Sequence, residues 1–315
     1  MPSLSVVICA YTLERWDDLC AAVRSVQRQS VPVHEVVVVV DHNDELVQRA
    51  RESFAGAVVL PNAGPMGLSA GRNTGVAACT GDVVAFLDDD AAADPTWAAE
   101  MLAAYTDETV VGVGGLVVPE WRAPRPDWFP EEFLWVVGCS YRGQPTQRAQ
   151  VRNGIGANMS FRRSVFERTG GFDLSIGRVG KDAAGCEETE LSLRAVQASP
   201  GGRILLEPSA VVHHAVTPQR VTRSYFRERC RAEGRSKALV SDLAGPQEAL
   251  STERTYTTRT LPSGVALGVR QAIAGDRSGA RRAWAVCEGF ALTAFAYVWR
   301  RVRPGLRLRC LPART

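Results

Sequence analysis

Three consecutive carboxylates, Asp88, Asp89 and Asp90, follow directly on the apolar run Val83-Val84-Ala85-Phe86-Leu87. Adjacent anions repel one another, and a divalent cation among them relieves the repulsion, since Mg²⁺ and Mn²⁺ prefer hard carboxylate oxygens. The bland alternative is a solvated acidic turn, because Asp is common there. A second acidic group, Glu187-Glu188-Thr189-Glu190, opens a helical pattern continuing through Leu191, Leu193 and Arg194. Acids in a first turn meet the helix dipole favourably, which accounts structurally for one or two of them. A catalytic role requires one to face a cleft. His213 and His214 follow the apolar run Ala210-Val211-Val212, and a neutral imidazole can bind a metal or position a phosphate. Arg72, within Gly71-Arg72-Asn73-Thr74-Gly75, stands near a helix start where it can approach a diphosphate. The stretch from Asn153 to Arg163 contains Gly154, Gly156 and Ala157, and its glycines permit close approach of a bulky ligand.

A frame for these residues is legible in the alternation of strand and helix patterns. Leu4 to Ala10 reads as a strand, and Leu19, Ala22, Val23 and Val26 then recur at helical spacing. Val36 to Val40 is an unbroken valine run, apolar on both faces as a central parallel strand is, and it ends at Asp41. A helix over Asp44–Phe54, a strand over Ala57–Leu60, a helix over Leu68–Ala78 and the strand Val83–Leu87 follow. Repeated β-α units predict an open, mostly parallel α/β sheet with helices on both faces, whose ligands bind at the carboxyl ends of the strands. Tyr11, Asp41 and Asp88 all fall there. The first turn, Ala10-Tyr11-Thr12-Leu13-Glu14-Arg15, has no Gly-x-Gly-x-x-Gly, and no loop ends in Gly-Lys-Ser/Thr. Dinucleotide and phosphate-loop readings are thereby removed, leaving a nucleotide pocket whose phosphates are held by metal and side chains.

With 315 residues, 45% hydrophobic and 23% charged, the chain has room for a large α/β domain and an appendage. A net charge of +3 argues against a dedicated nucleic-acid binder. Eight scattered cysteines without a Cys-x-x-Cys suit reduced thiols in the cytoplasm. Leu4 to Tyr11 has no basic leader and runs into Glu14, Arg15, Asp17 and Asp18, unlike an export signal.

In order and spacing these pieces resemble the family 2 glycosyltransferases of GT-A fold, over roughly Pro2 to Leu239. The matching segments are Ser5–Tyr11, Val39-Val40-Asp41, Asn62-Ala63-Gly64, Ala70–Gly75, Gly81-Asp82 with Phe86–Asp90, Gly154–Arg163, Gly170-Gly171-Phe172-Asp173, Glu187–Leu191 with Arg194, and His213. The resemblance implies a Rossmann-like GT-A domain over 1–243, with a nucleotide-binding half (1–90) and an acceptor half (91–243). A nucleotide-sugar donor would be bound by Ala10, Tyr11, Thr12, Asp41, Asn62, Arg72, Asp88 and Asp89, with Asp41 at the base and Asp88 at the ribose. Asp90, Asp88 and His213, or its neighbour His214, would hold Mn²⁺ or Mg²⁺. Gly156, Ala157, Asn158 and Trp97 would meet the sugar and acceptor. The family's base lies in a Glu-Asp pair opening a helix; here the second position is Glu188, a departure that leaves Glu188 or Glu187 as base, with Glu188 favoured.

The segments Cys9–Trp16, Val40–Asn43, Pro130–Gly138 and Tyr141-Arg142-Gly143 look like those of the glucosyl-dolichyl-phosphate glucuronosyltransferases. That likeness implies UDP-glucuronate as donor and a saccharide on a polyprenyl phosphate as acceptor; one displacement with no nucleophilic carboxylate predicts inversion. Arg162 and Arg178 are the candidates for a glucuronate carboxylate. A sugar-nucleotide pyrophosphorylase, which needs a Gly-rich basic loop after the first strand, and a metal-dependent phosphohydrolase are the competing enzyme classes; a catalytically silent GT-A scaffold is the non-enzymatic alternative. Beyond a linker expected over 244–262 lies a basic helical tail, 263–315, whose last sixteen residues carry six Arg and no acid. Its apolar stretch Trp284–Trp299 is shorter than the ~20 residues needed to span a bilayer. The segment lacks the clean polar face of an interfacial helix, while its aromatic residues and basic flanks suit a headgroup layer. A contact with the cytosolic face of a membrane, packing on the catalytic domain and an oligomer contact are the three readings.

Overall fold

The computed structural model describes residues 2–178, 185–245 and 253–303. Strand β1 (Leu4–Ala10) is flanked by β2 (Glu35–Val40) and β4 (Val83–Asp88), and β3 (Ala57–Pro61) lies outside β2, all in parallel register. The valines of β2 are buried on both faces, as β-branched side chains in a covered parallel strand should be. Helices α1 (Trp16–Gln27), α2 (Asp44–Ser53) and α4 (Trp97–Ala103) belong with the core on one face. Helix α3 (Leu68–Ala78), α5 (Arg163–Thr169) and α6 (Glu187–Gln197) accompany the core on the other. Gly75 lets α3 lie close on the sheet, since a Cβ there would stand 2.4 Å from Val7 Cγ1. That approach sets the height of Arg72, one turn earlier.

The sheet continues through β8 (Asn158–Arg162), β6 (Val110–Trp121), β9 (Arg203–Val216) and β5 (Ala91–Ala93), with β7 (Ala149–Val151) also on β9. Here the mostly parallel expectation gives way to a mixed arrangement. Only β6 and β9 pair in parallel, whereas β4/β8, β6/β8, β5/β9 and β7/β9 are antiparallel. Parallel neighbours need a crossover of a dozen or more residues; the short step from Asp88 to Ala91 allows none, and β5 pairs with β9 instead of continuing the parallel order beside β4.

The tail is integrated with this second half. Helix α7 (Arg223–Ala244) is followed, after residues outside the described set, by a helical turn at Glu253–Thr255. A π-helical turn, Tyr256–Thr260, then runs into α8 (Leu261–Ile273), and α9 (Arg277–Val302) packs back along α7. Of the segment expected to link the two parts, 244–262, residues 253–262 are helical, while 246–252 lie outside the described residues. The segment is held by tertiary contacts invisible in local composition. Tyr256 Oη donates to the Glu132 carbonyl (2.6 Å), and Glu253 bridges Arg152 (2.8 Å) and Lys237 (2.5 Å). A third core joins Phe133, Phe226, Leu261 and Val286. Gly234 permits the α7/α9 contact, because a Cβ there would lie 2.2 Å from the Thr293 carbonyl oxygen.

Candidate active site

Strand β4 delivers Asp88 to the sheet's edge, and the following turn buries Asp89 and Asp90. Asp90 is pinned from both ends: its carbonyl accepts from Ala215 N (2.8 Å), and its carboxylate accepts from Arg220 Nη2 (2.9 Å). Arg15 Nη1 lies 3.3 Å and His214 Nε2 3.1 Å from the same carboxylate. Burial works against its ionised form, yet His214, Arg220 and Arg15 hold Asp90 well below the ordinary carboxyl range. For His214, burial also opposes the charge, but Asp90 beside it raises the imidazole to about 10.

One oxygen each from Asp88 and Asp90 and one nitrogen of His214 lie within 4.8 Å of one another. Two carboxylates and an imidazole form a hard nitrogen and oxygen donor set that suits Mn²⁺ or Mg²⁺, so these residues could hold such an ion. His213 does not belong to this group. Side chains alternate across a strand, so the two histidines face opposite ways. His213 Nε2 contacts Asp94 Oδ1 at 2.9 Å and is 44% exposed, whereas His214 pairs across the sheet with Ala91. Asp89 also turns away: Arg15 Nη1 donates to its Oδ1 (2.8 Å), Oδ2 is buried without a hydrogen-bond partner among the described residues, and burial with the Asp90 charge pushes it up to about 7.

The other carboxylates enter at the start of α6. Cys186 precedes the helix in the left-handed region, φ +73°, an uncommon conformation for a residue with a side chain. His42, beside Asp41, is the other such residue among those described, φ +52°. Both strained positions adjoin predicted site carboxylates, where strain of this kind concentrates. Arg72 Nη1 donates to Glu187 Oε1 (2.8 Å), its Nη2 donates to the Gly156 carbonyl (3.2 Å), and the guanidinium stands 3.6 Å from Asp88. Glu187 Oε2 is buried with no hydrogen-bond partner among the described residues. Burial first and Glu187 second push Glu188 up to about 8. Glu190 is structural: it holds Arg194, which also donates to the Thr169 and Gly171 carbonyls at 2.7 and 2.8 Å.

Arg72, Asp88, Gly156, Ala157, Glu187 and Glu188 line one cavity of about 420 Å³. Phe133, Trp135, Tyr141 and Tyr256 supply aromatic walls, and Arg178 and Arg229 supply positive charge. Ala10, Tyr11, Thr12, Asp41 and Asn62 lie outside its lining, along the ends of β1 to β3. Asp41 accepts from Asn62 Nδ2 (2.7 Å) and from the Gly67 amide (2.9 Å), Tyr11 is half exposed, and the Thr12 hydroxyl accepts from Glu14 N (3.2 Å). Ala10 is buried and contributes its carbonyl to Asp41 N (2.7 Å).

Trp97 and Asn158 must be removed from the expected acceptor contacts. Both are fully buried, Trp97 Nε1 donates to Asn158 Oδ1 (2.8 Å), and Asn158 Nδ2 donates to the Leu116 and Ala210 carbonyls. They brace the sheet beneath the site. Arg15 and Arg220 were missed from sequence. Their contact with Asp90 spans 75 and 130 positions, and no local pattern signals it.

The profile of Glycosyl transferase family 2 matches residues 5–170, just over half of the chain. The chain is a family 2 glycosyltransferase. This glycosyltransferase is 38% identical over 248 residues to the glucosyl-dolichyl phosphate glucuronosyltransferase of Haloferax volcanii, covering 78% of this chain and 79% of that one. It is also 31% identical over 183 residues to the pre-mycofactocin glycosyltransferase of Mycobacterium tuberculosis, covering 56% of this chain and only 37% of that protein. Among solved structures, the enzyme superposes on the mannosyltransferase PcManGT of Pyrobaculum calidifontis, in complex with GDP-Man and Mn²⁺, with a TM-score of 0.61. That match has 18% identity and covers 95% of this chain and 88% of the other. GalNAc-T7 with UDP, GalNAc and Mn²⁺ gives a TM-score of 0.54 at 18% identity, over 82% of this chain and 56% of that one. Both place the glycosyltransferase in the GT-A fold.

Proposed function

We propose that the enzyme transfers a sugar, with inversion, from a UDP-linked donor to a hydroxyl of a saccharide carried on a polyprenyl phosphate, at the cytosolic face of a membrane. UDP-glucuronate is the first donor to test, given the name of the Haloferax relative. The observation that carries the reading is the shared cavity: the α6 carboxylates Glu187 and Glu188 open onto the same space as Asp88 and the Arg72 guanidinium. Aromatic walls on the far side suit the apolar faces of sugar rings.

Asp88, Asp90 and His214 would hold the ion, with His214 neutral at the ligating nitrogen. When bound, Mn²⁺ or Mg²⁺ supplies Lewis-acid neutralisation of the departing diphosphate. Asp41 and Tyr11 meet the base and Asp88 the ribose. Arg72, already beside Asp88, offers a guanidinium to the diphosphate. Glu188 takes the proton of the acceptor hydroxyl while that oxygen bonds to the anomeric carbon and the electron pair of the breaking bond leaves with the diphosphate. A single displacement inverts the anomeric centre, and a carboxyl raised to about 8 is a stronger base than an ordinary one once ionised. Glu187, tied to Arg72, keeps a negative charge beside Glu188 and maintains that basicity.

Of the two arginines considered for a uronate carboxylate, Arg162 is committed to the Val110, Tyr105 and Asp107 carbonyls. Arg178 lines the cavity, where burial and the nearby charge of Arg229 oppose its own, and an incoming anion relieves that opposition.

The test measures binding and turnover of a panel of UDP-sugars and GDP-mannose, with and without Mn²⁺, on a short prenyl-phosphate saccharide acceptor. Metal-dependent consumption of one UDP-sugar, with a product of opposite anomeric configuration by NMR, is expected. Formation of UTP and sugar 1-phosphate from a UDP-sugar when pyrophosphate is added, or no metal-dependent binding of any nucleotide sugar, sinks the reading.

A further inference from the structure

Helix α9 is apolar on two opposite sides, and only one is covered. Ala283, Ala285, Val286, Gly289 and Ala296 are buried against the body of the protein. The other side carries Trp284, Cys287, Ala291, Phe295, Val298 and Val302, a stripe at spacings of three and four residues. Trp284 and Phe295 are each 66% exposed and Val302 72%. A covered inner face explains why the sequence of this segment shows no clean polar side. Neighbouring α8 presents a second exposed stripe, Pro262, Ala266, Val269 and Ile273, the last 82% exposed. Exposed apolar surface of this kind marks an interaction site.

The charges around the stripes identify the partner. Between Leu261 and Arg303 the chain has seven arginines against two acids, Asp276 and Glu288. Glu288 is largely buried and neutralised by Arg223 (3.1 Å) and Arg227 (2.7 Å). Arg281 and Arg301 pair with exposed Asp127 and Asp242, contacts that water screens strongly. Among the described residues no helix is long and apolar enough to cross a membrane, so the pair is not itself a span. An apolar strip with an aromatic residue near each end and a basic surround is the pattern of an element lying in an anionic headgroup layer.

We propose that the outer face of α8 and α9 docks on an anionic lipid bilayer and that the active-site cavity opens at this face. Val298 belongs to both the exposed stripe and the cavity lining, where Phe290, Thr293, Ala294 and Tyr297 accompany it. An acceptor whose saccharide reaches Glu188 leaves its apolar chain along these residues, directly onto the docked surface. This last point rests on the lipid-linked acceptor proposed above; the docking itself does not.

Flotation of the full-length protein with phosphatidylcholine vesicles, with or without 30% phosphatidylglycerol, tests the proposal. Recovery with the anionic vesicles, reduced by high salt and lowered about tenfold by Trp284→Glu or Phe295→Glu, is the expected result. Neither residue lines the cavity, so metal-dependent donor binding serves as the control for folding. Failure of wild type to float while it binds donor overturns the docking and leaves the proposed reaction standing. A wild-type dimer in light scattering that these substitutions convert to monomer, with no flotation, assigns the face to a second copy instead and overturns the proposal equally.

Discussion

Two carboxylate sites, one around Asp90 and one around Glu188, are built on opposite electrostatic plans. Around Asp90, Arg15, Arg220 and His214 converge, so the anion is favoured despite burial. Around Glu188, burial and Glu187 disfavour the anion, and Arg72, which favours it, is already engaged by Glu187. A carboxylate that must attract a cation is kept charged, whereas one that must accept a proton is given affinity for it. On the proposed roles, the same functional group takes two tasks according to its neighbours rather than its position in a motif.

The contrast is most exposed at Asp90. Asp90→Ala should abolish Mn²⁺-dependent donor binding by calorimetry and lower turnover by at least ~10³-fold, since it removes a ligand and deprives Arg15 and Arg220 of that carboxylate. Glu188→Gln should spare donor binding and lower kcat by about 10²- to 10⁴-fold, the range for a general base; an equal loss of binding would erase the distinction between the sites. In the wild type, kcat/KM should rise with pH to an apparent pKa near 8. Glu187→Gln removes the like charge and frees Arg72 toward Glu188, so that limb should move to lower pH, with an activity loss of about tenfold.

The same difference has a stability signature. Glu188 binds its proton more tightly folded, at about 8, than the ordinary value of 4.5. Its contribution is therefore complete below pH ~4.5 and is lost as pH rises through about 8. Relative to wild type, Glu188→Gln should gain thermal stability between pH 5 and pH 8, measurable by scanning calorimetry at the two values. A fixed offset would show that the carboxyl is not perturbed. The smallest effect belongs to Trp97→Phe, which removes one donor from Asn158 beneath the site: about 1–2 kcal/mol of stability, with kcat/KM within about twofold.

How far these features were legible depends on whether local pattern decides them. The parallel core could be read because the β2 valines and the run into Asp88 are buried on both faces and carry that fact in their composition. The α6 acids were equally visible, but which were functional depended on partners: Glu190 is claimed by Arg194, and Glu187 by Arg72. The histidine pair could not be resolved, because choosing between neighbours on a strand requires knowing which face is inward. Trp97 and Asn158 resemble ligand contacts in type, and only their mutual burial shows them to be a brace. The helical turns after Glu253 exist through Tyr256, Arg152 and Lys237, contacts that composition does not reveal.

The distribution of thiols has a practical consequence. Cys9, Cys79 and Cys230 are pushed up to about 12 by burial, Cys186 is raised well above its ordinary value, and Cys139 is buried. Cys20 is half-buried and also raised, which leaves Cys287 as the exposed thiol among the described residues, in the middle of the outer stripe of α9. With Cys310, outside the described residues, changed to Ser, the native sequence offers a handle for attaching a polarity-sensitive dye at that stripe. Its emission would follow the wetting and drying of this face in real time, without a substitution in the stripe itself.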